Sequence, residues 1–414
     1  MKKNIIILLA TVMSVSASFA SEWTQLFDGK SLDHWRNPYE WGKVYVEDGN
    51  ICLVANRKFF LCSKDEYKDF IFEAEVKMPK GNSNSGFMFR ADVAKNKVSG
   101  YQAETDTGSR AWSGGIFGEG FGGWRFMPRK PNNSPAGQAF RTATKGSFKR
   151  HGWNKYRIEC AGNRLRVFVN GTLCSDYFDD SLDSGAVALQ HHGEDGKIYR
   201  FRNIRIKTIE PDQYLGTAAK VVLDEHFEGG KMNDSWTPTD QKAWAVTKQD
   251  GSGVLHLKGQ SDYKQPVQSP KSIIWLLKEG PDSFVMDAVV KSTGKAGGHR
   301  DLCLFFGKQD DSHFYYVHLA PKADPRAHSV FAVDGKPRVS IVQERTDGVD
   351  WGDDWHRVRL IRNAESGAIE VYFDDLEKPI MTAKDKRFIG GSIGLGSFDN
   401  TGYFDDLRIM KITP

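Results

Sequence analysis

Cysteine is scarce: the chain has five in 414 residues and no C-x-x-C pair, which excludes zinc-cluster and thioredoxin-type readings. The odd count leaves at least one thiol unpaired. Cys52 with Cys62, and Cys160 with Cys174, could each cross-link neighbouring strands in an oxidising compartment. Cys303, inside the apolar run Leu302 to Phe306, reads as a buried thiol. Beyond the N-terminus no segment offers 18 uninterrupted apolar residues, so no membrane insertion is expected. A basic run is also missing. The formal net charge of +4 falls by two once Lys2 and Lys3 are set aside, leaving no electrostatic footprint for nucleic acid. Helical periodicity never lasts beyond three turns, and His313, His318, His328 and Asp324 match no compact zinc spacing. No motif asks for a metal or another cofactor, and the oligomeric state is left open.

Aromatic residues are plentiful instead, at 12% of the chain, a usage that suits pleated surfaces. Short alternating segments recur between Gly, Asn, Asp and Pro. Phe70–Val76 alternates apolar with acidic residues, and Tyr156–Cys160 and Leu165–Val169 flank Gly162-Asn163 as a hairpin. The expected class is all-β. Residues 1–20 read as a signal peptide, with Lys2 and Lys3 before an apolar stretch and Ser18-Phe19-Ala20 at the cut; the mature protein is then expected in the periplasm or secreted.

An internal repeat of about 200 residues sets the domain count. Trp153–Ile158 is echoed by Trp355–Leu360, Val167–Gly171 by Val371–Asp375, Gly185–Leu189 by Gly391–Leu395, and Phe201–Ile206 by Phe404–Ile409. So long a period means two copies of one fold rather than a solenoid. The expected domains are residues 22–210 and 218–414, joined where Pro, Gly and small residues interrupt the strands between Pro211 and Lys220.

The closing strands of both copies, with Asn-Gly or Asp-Asp turns, then G-x-[IV]-x-L, then F-[RD]-[ND]-[IL]-R-I, resemble the concanavalin A-like lectin/glucanase jelly-roll sandwich. The first copy resembles something narrower. Leu26–Trp35, Asn84–Arg90, Gly100–Asp106, Leu189–Gly193 and Phe201–Ile204 follow the order of motifs in the 3-keto-disaccharide hydrolase domain family of exported bacterial proteins. That resemblance covers residues 22–209 and implies cleavage of glycosides whose sugar carries a ketone at C3. Where the family usually has Y-E-x-Q, this chain reads Tyr101-Gln102-Ala103-Glu104, with acid and amide exchanged.

Strand alternation sorts the candidate residues independently of the family. Tyr101, Ala103 and Thr105 share one face, and Gln102, Glu104 and Asp106 the other. Phe87 and Phe89 point to the core, leaving Gly86, Met88 and Arg90 opposite. Gln190 and His192 fall opposite Leu189 and His191. Glu104, His192, Asp106 and Arg90 are therefore the expected catalytic set on one concave sheet, with Gln102, Gln190, Trp112, Trp124, Glu119 and Arg202 as substrate-binding residues and small Gly86 and Ala188 making room for a sugar ring. The glycine-rich stretch Arg110–Gly120 with Gly122–Arg125 reads as a rim loop whose Trp112 and Trp124 could stack on a sugar. In the second copy Gln190 and His192 become Gly396 and Phe398, and Arg202 becomes Asp405. Activity is accordingly expected in the first copy alone, with the second binding glycan or supporting stability.

Three functions fit these residues. The first is an enzyme acting on 3-keto-glycosides: a C3 ketone acidifies the C2 hydrogen, so a base can remove it while the C1 oxygen leaves, and hydration completes a net hydrolysis. The second is a conventional two-carboxylate glycosidase, for which Glu104-Thr105-Asp106 lacks the third carboxylate of E-x-D-x-x-E. The third is a carbohydrate-binding module using Trp112 and Trp124. In each case the partner is an oligosaccharide or glycoside.

Overall fold

The computed structural model describes residues 22–124, 128–211 and 219–413. The signal peptide read over residues 1–20, and the middle of the join at 212–218, lie outside the described residues. Two β-sandwiches follow one another along the chain. The first pairs an eight-stranded sheet with a six-stranded one, and the second pairs nine strands with seven, all antiparallel. The six-stranded sheet runs, edge to edge, Trp35–Arg36, Phe59–Ser63, Ala186–His191, Asn84–Ala94, Lys97–Asp106 and Ile116–Glu119.

Period-two patterning places the core. Phe87, Phe89, Tyr101, Ala103, Val187 and Leu189 face inward and meet Phe72, Tyr156 and Phe201 from the other sheet. Phe87 sits at the centre, with ring centroids 4.9 Å from Tyr156 and 5.7 Å from Phe201. Burying each such ring removes a large apolar area from water. The sequence repeat corresponds to repeated local geometry. Asn170 and Asp374 both adopt left-handed φ, +50° and +58°, and each accepts a backbone N–H with its side chain, from Lys155 at 3.0 Å and Arg357 at 3.1 Å. A short polar side chain tolerates that conformation because it can bond locally.

The described residues contain one α-helix, Pro135–Ala143. Ser134 caps it by accepting the Gly137 N–H at 3.2 Å, and Pro135 opens the first turn. All five cysteines are free and buried. The two cross-links conceived from sequence therefore do not form. Cys52 lies in the eight-stranded sheet and Cys62 in the six-stranded one, while Cys160 and Cys174 lie on strands separated by Arg164–Val169.

Arg90 requires a correction. A β-bulge interrupts the pairing of Asn84–Ala94 with Lys97–Asp106 just after Phe89, and Arg90 takes φ +48°. The alternation breaks there, and Arg90 leaves the face that carries Glu104. Its guanidinium, 1% exposed, donates to the carbonyls of Lys68, Leu182 and Gly162 and lies 3.5 Å from Asp69. The second sandwich reaches the same result from another strand: Arg362 donates to the carbonyls of Gly367 and Phe388, and Gly307, with φ +66°, stands at the matching bulge. Both arginines pin a hairpin to a segment anchored by a tyrosine–aspartate bond, Tyr101–Asp179 in one copy and Tyr315–Asp385 in the other. Arg90→Ala should therefore cost ~3–5 kcal/mol of stability in chemical denaturation, because buried carbonyls and Asp69 lose their donor. A variant that is inactive at wild-type stability would return Arg90 to the chemistry.

Candidate active site

The outer face of the six-stranded sheet carries two different surfaces. Toward one end Phe60, Cys62, Met88, Ala91, Val98 and Ala188 pack under Tyr39. Toward the other, Gln102, Glu104, Gln190 and His192 line a cleft of about 240 Å³ together with Asn84, Lys58, Arg110, Phe117, Glu119, Trp124 and Lys130. Strand register brings the polar set together: Gly86 lies opposite Glu104, and Met88 lies opposite both Gln102 and Ala188.

Glu104 is the centre of the cleft chemistry. It is 3% exposed. The Asn84 amide and the Arg110 guanidinium both donate to Oε1, and Gln102 Nε2 donates to Oε2 at 2.9 Å. Gln190 Nε2 then donates to Gln102 Oε1 at 2.8 Å, so a directed chain of amides ends on the carboxylate. Burial pushes the Glu104 carboxyl up to about 7, and the charge of Asp106 adds to this, while Arg110, Asn84 and Gln102 pull the other way. Gly86 serves this chain rather than a sugar ring: a Cβ there would come within 2.5 Å of Gln102 Cγ.

His192 is half exposed at the mouth, with Nδ1 3.5 Å from Glu194 Oε1. The bond to Glu194 holds its imidazole above the ordinary histidine value against the effect of burial. Burial disfavours the charge on Glu194 too, but His192, the Tyr199 hydroxyl and the Asn84 N–H outweigh it and bring its carboxyl down to about 2. Neighbouring His191 is fully buried. Its Nδ1 accepts the Gly193 N–H at 3.0 Å, so Nε2 carries the proton toward the Lys197 carbonyl at 3.1 Å.

Three further sequence expectations are corrected. Asp106 does not line this cleft. Its carboxylate accepts the Gly108 N–H at 2.7 Å and Arg110 Nε at 2.8 Å, which makes it the support that orients Arg110 toward Glu104. Trp112 is fully buried in the core cluster, because the glycine-rich loop dives inward there. It meets Trp124 edge to face at 4.8 Å, and Trp124 stands on the cleft wall. Arg202 belongs to the other sheet, bonded to Glu75 at 2.8 Å and stacked 3.9 Å over Trp153. Glu119 is in the cleft, with its carboxylate on Lys58. The sequence reading missed Asn84, Arg110, Lys58 and Lys130 as site residues. Asn84 was legible, since it shares its face with Gly86; the three cations arrive through loops that periodicity does not orient.

With this geometry established, residues 22–207 match the family model of the 3-keto-alpha-glucoside-1,2-lyase-like domain. That match spans the first sandwich. No curated protein matches the chain. Among solved structures, a candidate glycosyl hydrolase from Parabacteroides distasonis is 21% identical, covering 45% of this chain and 100% of its own at a TM-score of 0.32. A carbohydrate-binding module from Bacillus subtilis is 14% identical, covering 42% and 96% at a TM-score of 0.30. Domain 4 of an extracellular arabinanase from Geobacillus stearothermophilus is 16% identical, covering 47% and 95% at 0.34.

The raised Glu104 carboxyl has a consequence for stability. An unfolded glutamate ionises near 4.5 and the folded one near 7, so the folded state binds the extra proton between those values. Wild-type stability from this group is present at low pH and is lost as pH rises from about 4.5 to about 7. Glu104→Gln has no charge to lose. Its stability relative to wild type, read from melting curves at about pH 5 and about pH 8, should shift in the variant's favour by ~1–3 kcal/mol; a shift of zero or of opposite sign would mean that Glu104 ionises normally.

Proposed function

We propose that the first sandwich of this carbohydrate-active protein cleaves 3-keto-glycosides by elimination followed by hydration. The observation that carries the reading is the pairing, in one cleft, of a desolvated carboxylate with a half-exposed histidine whose proton affinity Glu194 raises. Ionised Glu104 takes the proton from C2, acidified by the C3 ketone. The C2–H electron pair forms the enolate, whose oxygen faces the positive potential of Lys58 and Arg110, while Lys130 holds the ligand. Collapse of the enolate forms the C1–C2 double bond and breaks the C1–O bond, and protonated His192 gives its proton to the departing oxygen. Water then adds to C1, losing a proton to neutral His192, while Glu104 returns its proton to C2. Both residues end as they began.

Arg110, and not Arg90, is the arginine beside Glu104. The conventional two-carboxylate mechanism finds less support, because Asp106 is committed to Arg110 and Gly108, and Glu119 to Lys58. The same cleft supports a glycan ligand for a purely binding function, but stacking would not call for an ionisable pair at its centre.

Glu104→Gln should lower turnover by roughly 10²-fold or more, and His192→Ala should do similar damage. The direct assay incubates the protein with 3-keto-trehalose or a 3-keto-glucoside beside the unoxidised sugars; equal cleavage of both would eliminate the elimination mechanism. The rate should rise with pH through about 7 as Glu104 ionises, and fall again as His192 loses its proton. Glu194→Gln removes the group that raises the proton affinity of His192, so it should move the alkaline limb to lower pH and leave the acidic limb in place. An unmoved alkaline limb would show that His192 is not the acid.

A further inference from the structure

Residues 128–143 bridge the two sandwiches, with Phe140 in the first core and Ala139 against the second. Arg129 is caught there among acids: Nε donates to Asp406 Oδ1 at 2.5 Å, and one terminal nitrogen lies 3.3 Å from Asp405 Oδ2 and 3.1 Å from Ser252 Oγ. The Asp405 side chain is wholly buried, and Arg129 itself is 15% exposed. The Arg129 carbonyl accepts the hydroxyl of Ser134, which caps the helix Pro135–Ala143. That helix seats Ala139 in a buried cluster with Val254, Val289 and Trp355 of the second sandwich. On the opposite side of Arg129, Pro128 covers Gly115, where a Cβ would come within 2.5 Å of Pro128 Cδ. Gly115 in turn accepts the Glu104 N–H at 2.9 Å. The residue next to Arg129 is Lys130, on the wall of the Glu104 cleft.

We propose that the second sandwich is a scaffold for the first one's cleft: Asp405 and Asp406 clamp Arg129, and the clamp fixes where Lys130 stands against the ligand. Arg129 is then a positioning residue, and the second copy takes part in ligand recognition without touching the ligand. Two independent contacts hold the segment, one ionic and one apolar, and they flank the stretch that includes Lys130. The exchange of Arg202 for Asp405 between the copies acquires a reason. In the first copy that position faces Glu75 across its own sheet; in the second it receives a cation from the neighbouring sandwich. The ligand class rests on the 3-keto-glycoside reading, whereas the clamp itself does not.

The test uses the full chain carrying Arg129→Met, alone and combined with Asp405→Asn. The single variant takes Arg129 from the Asp405–Asp406 pair, leaving His226 on Asp406, and should melt lower than wild type; the double variant, in which the pair carries at most one charge, should recover part of that loss. With a 3-keto-glucoside, both variants should show KM raised roughly tenfold and kcat within about threefold of wild type. A role confined to stability predicts that KM returns together with the melting temperature, and that result would overturn the proposal. Hydrogen exchange of residues 128–137 without any sugar provides the second readout. It should accelerate in both variants, and unchanged exchange in both would also overturn the proposal. If the wild type leaves 3-keto-glucosides intact, the function reading fails and exchange alone decides whether the clamp holds this wall.

Discussion

Keeping a carboxylate 3% exposed on the outside of a sheet is the constraint that organises the first sandwich. A buried charge without partners is far costlier than any single hydrogen bond returns, so Glu104 needs donors placed before any ligand arrives. Asn84 and Gln102 supply two from neighbouring backbone positions, and Gln190 fixes the orientation of Gln102 by donating to its oxygen. Gly86 is tied to the same requirement, since any side chain there would displace Gln102. Arg110 completes the set, but it comes from a loop and is itself held by Asp106. The compensation is incomplete, because burial still outweighs these partners and leaves the group near 7. That residue of uncompensated desolvation is what the proposed proton transfer draws on.

Alternation revealed most of this face because a strand has a strict period of two. Gln102, Glu104, Gln190 and His192 needed only to be counted from Phe87, Tyr101 and Leu189. The same counting failed at Arg90, since one left-handed residue at a bulge reverses every later assignment. The hint was Gly307 at the matching place in the second copy, a residue type that tolerates positive φ. Counting also cannot say which sheet a strand joins. Arg202 and Glu75 follow the same alternating pattern as the cleft residues yet lie in the other sheet. Cys52 and Cys62, ten positions apart, are separated for the same reason. Loop residues lie beyond the method altogether: Trp112 and Trp124 look alike in sequence, but one fills the core and the other walls the cleft.

The two copies share a frame and differ in what they do with its outer face. Both anchor a tyrosine on an aspartate and both hold a hairpin with an arginine, although the arginine comes from different strands. Where the first copy displays amides and a carboxylate, the second packs Trp275, Phe305, Phe314, Tyr316 and Phe331. Gly396, which replaces Gln190, leaves no space for a side chain, since a Cβ would meet the Ser272 carbonyl at 2.0 Å. The second face is thus packed largely with aromatic side chains, and its titratable groups, Asp301 and His318, lie buried beside them.

What the second copy supplies is cations. The edge strand Thr172–Phe178 of the first sandwich would otherwise present unpaired carbonyls, a surface that invites misassociation. Arg357 donates to the carbonyls of Leu173 and Cys174, Arg359 to that of Asp176, and Arg408 to that of Phe178. Arg359 also bridges the buried carboxylate of Asp176 and the part-buried one of Asp287, each from a different sandwich. Replacing one partner of such a pair leaves the other charge stranded, so the contact tolerates little sliding. A small cleft benefits from that rigidity, because its wall is built partly from the segment held between the two sandwiches. Precision at Glu104 therefore depends on a seam of arginines and aspartates formed between two sandwiches of one frame.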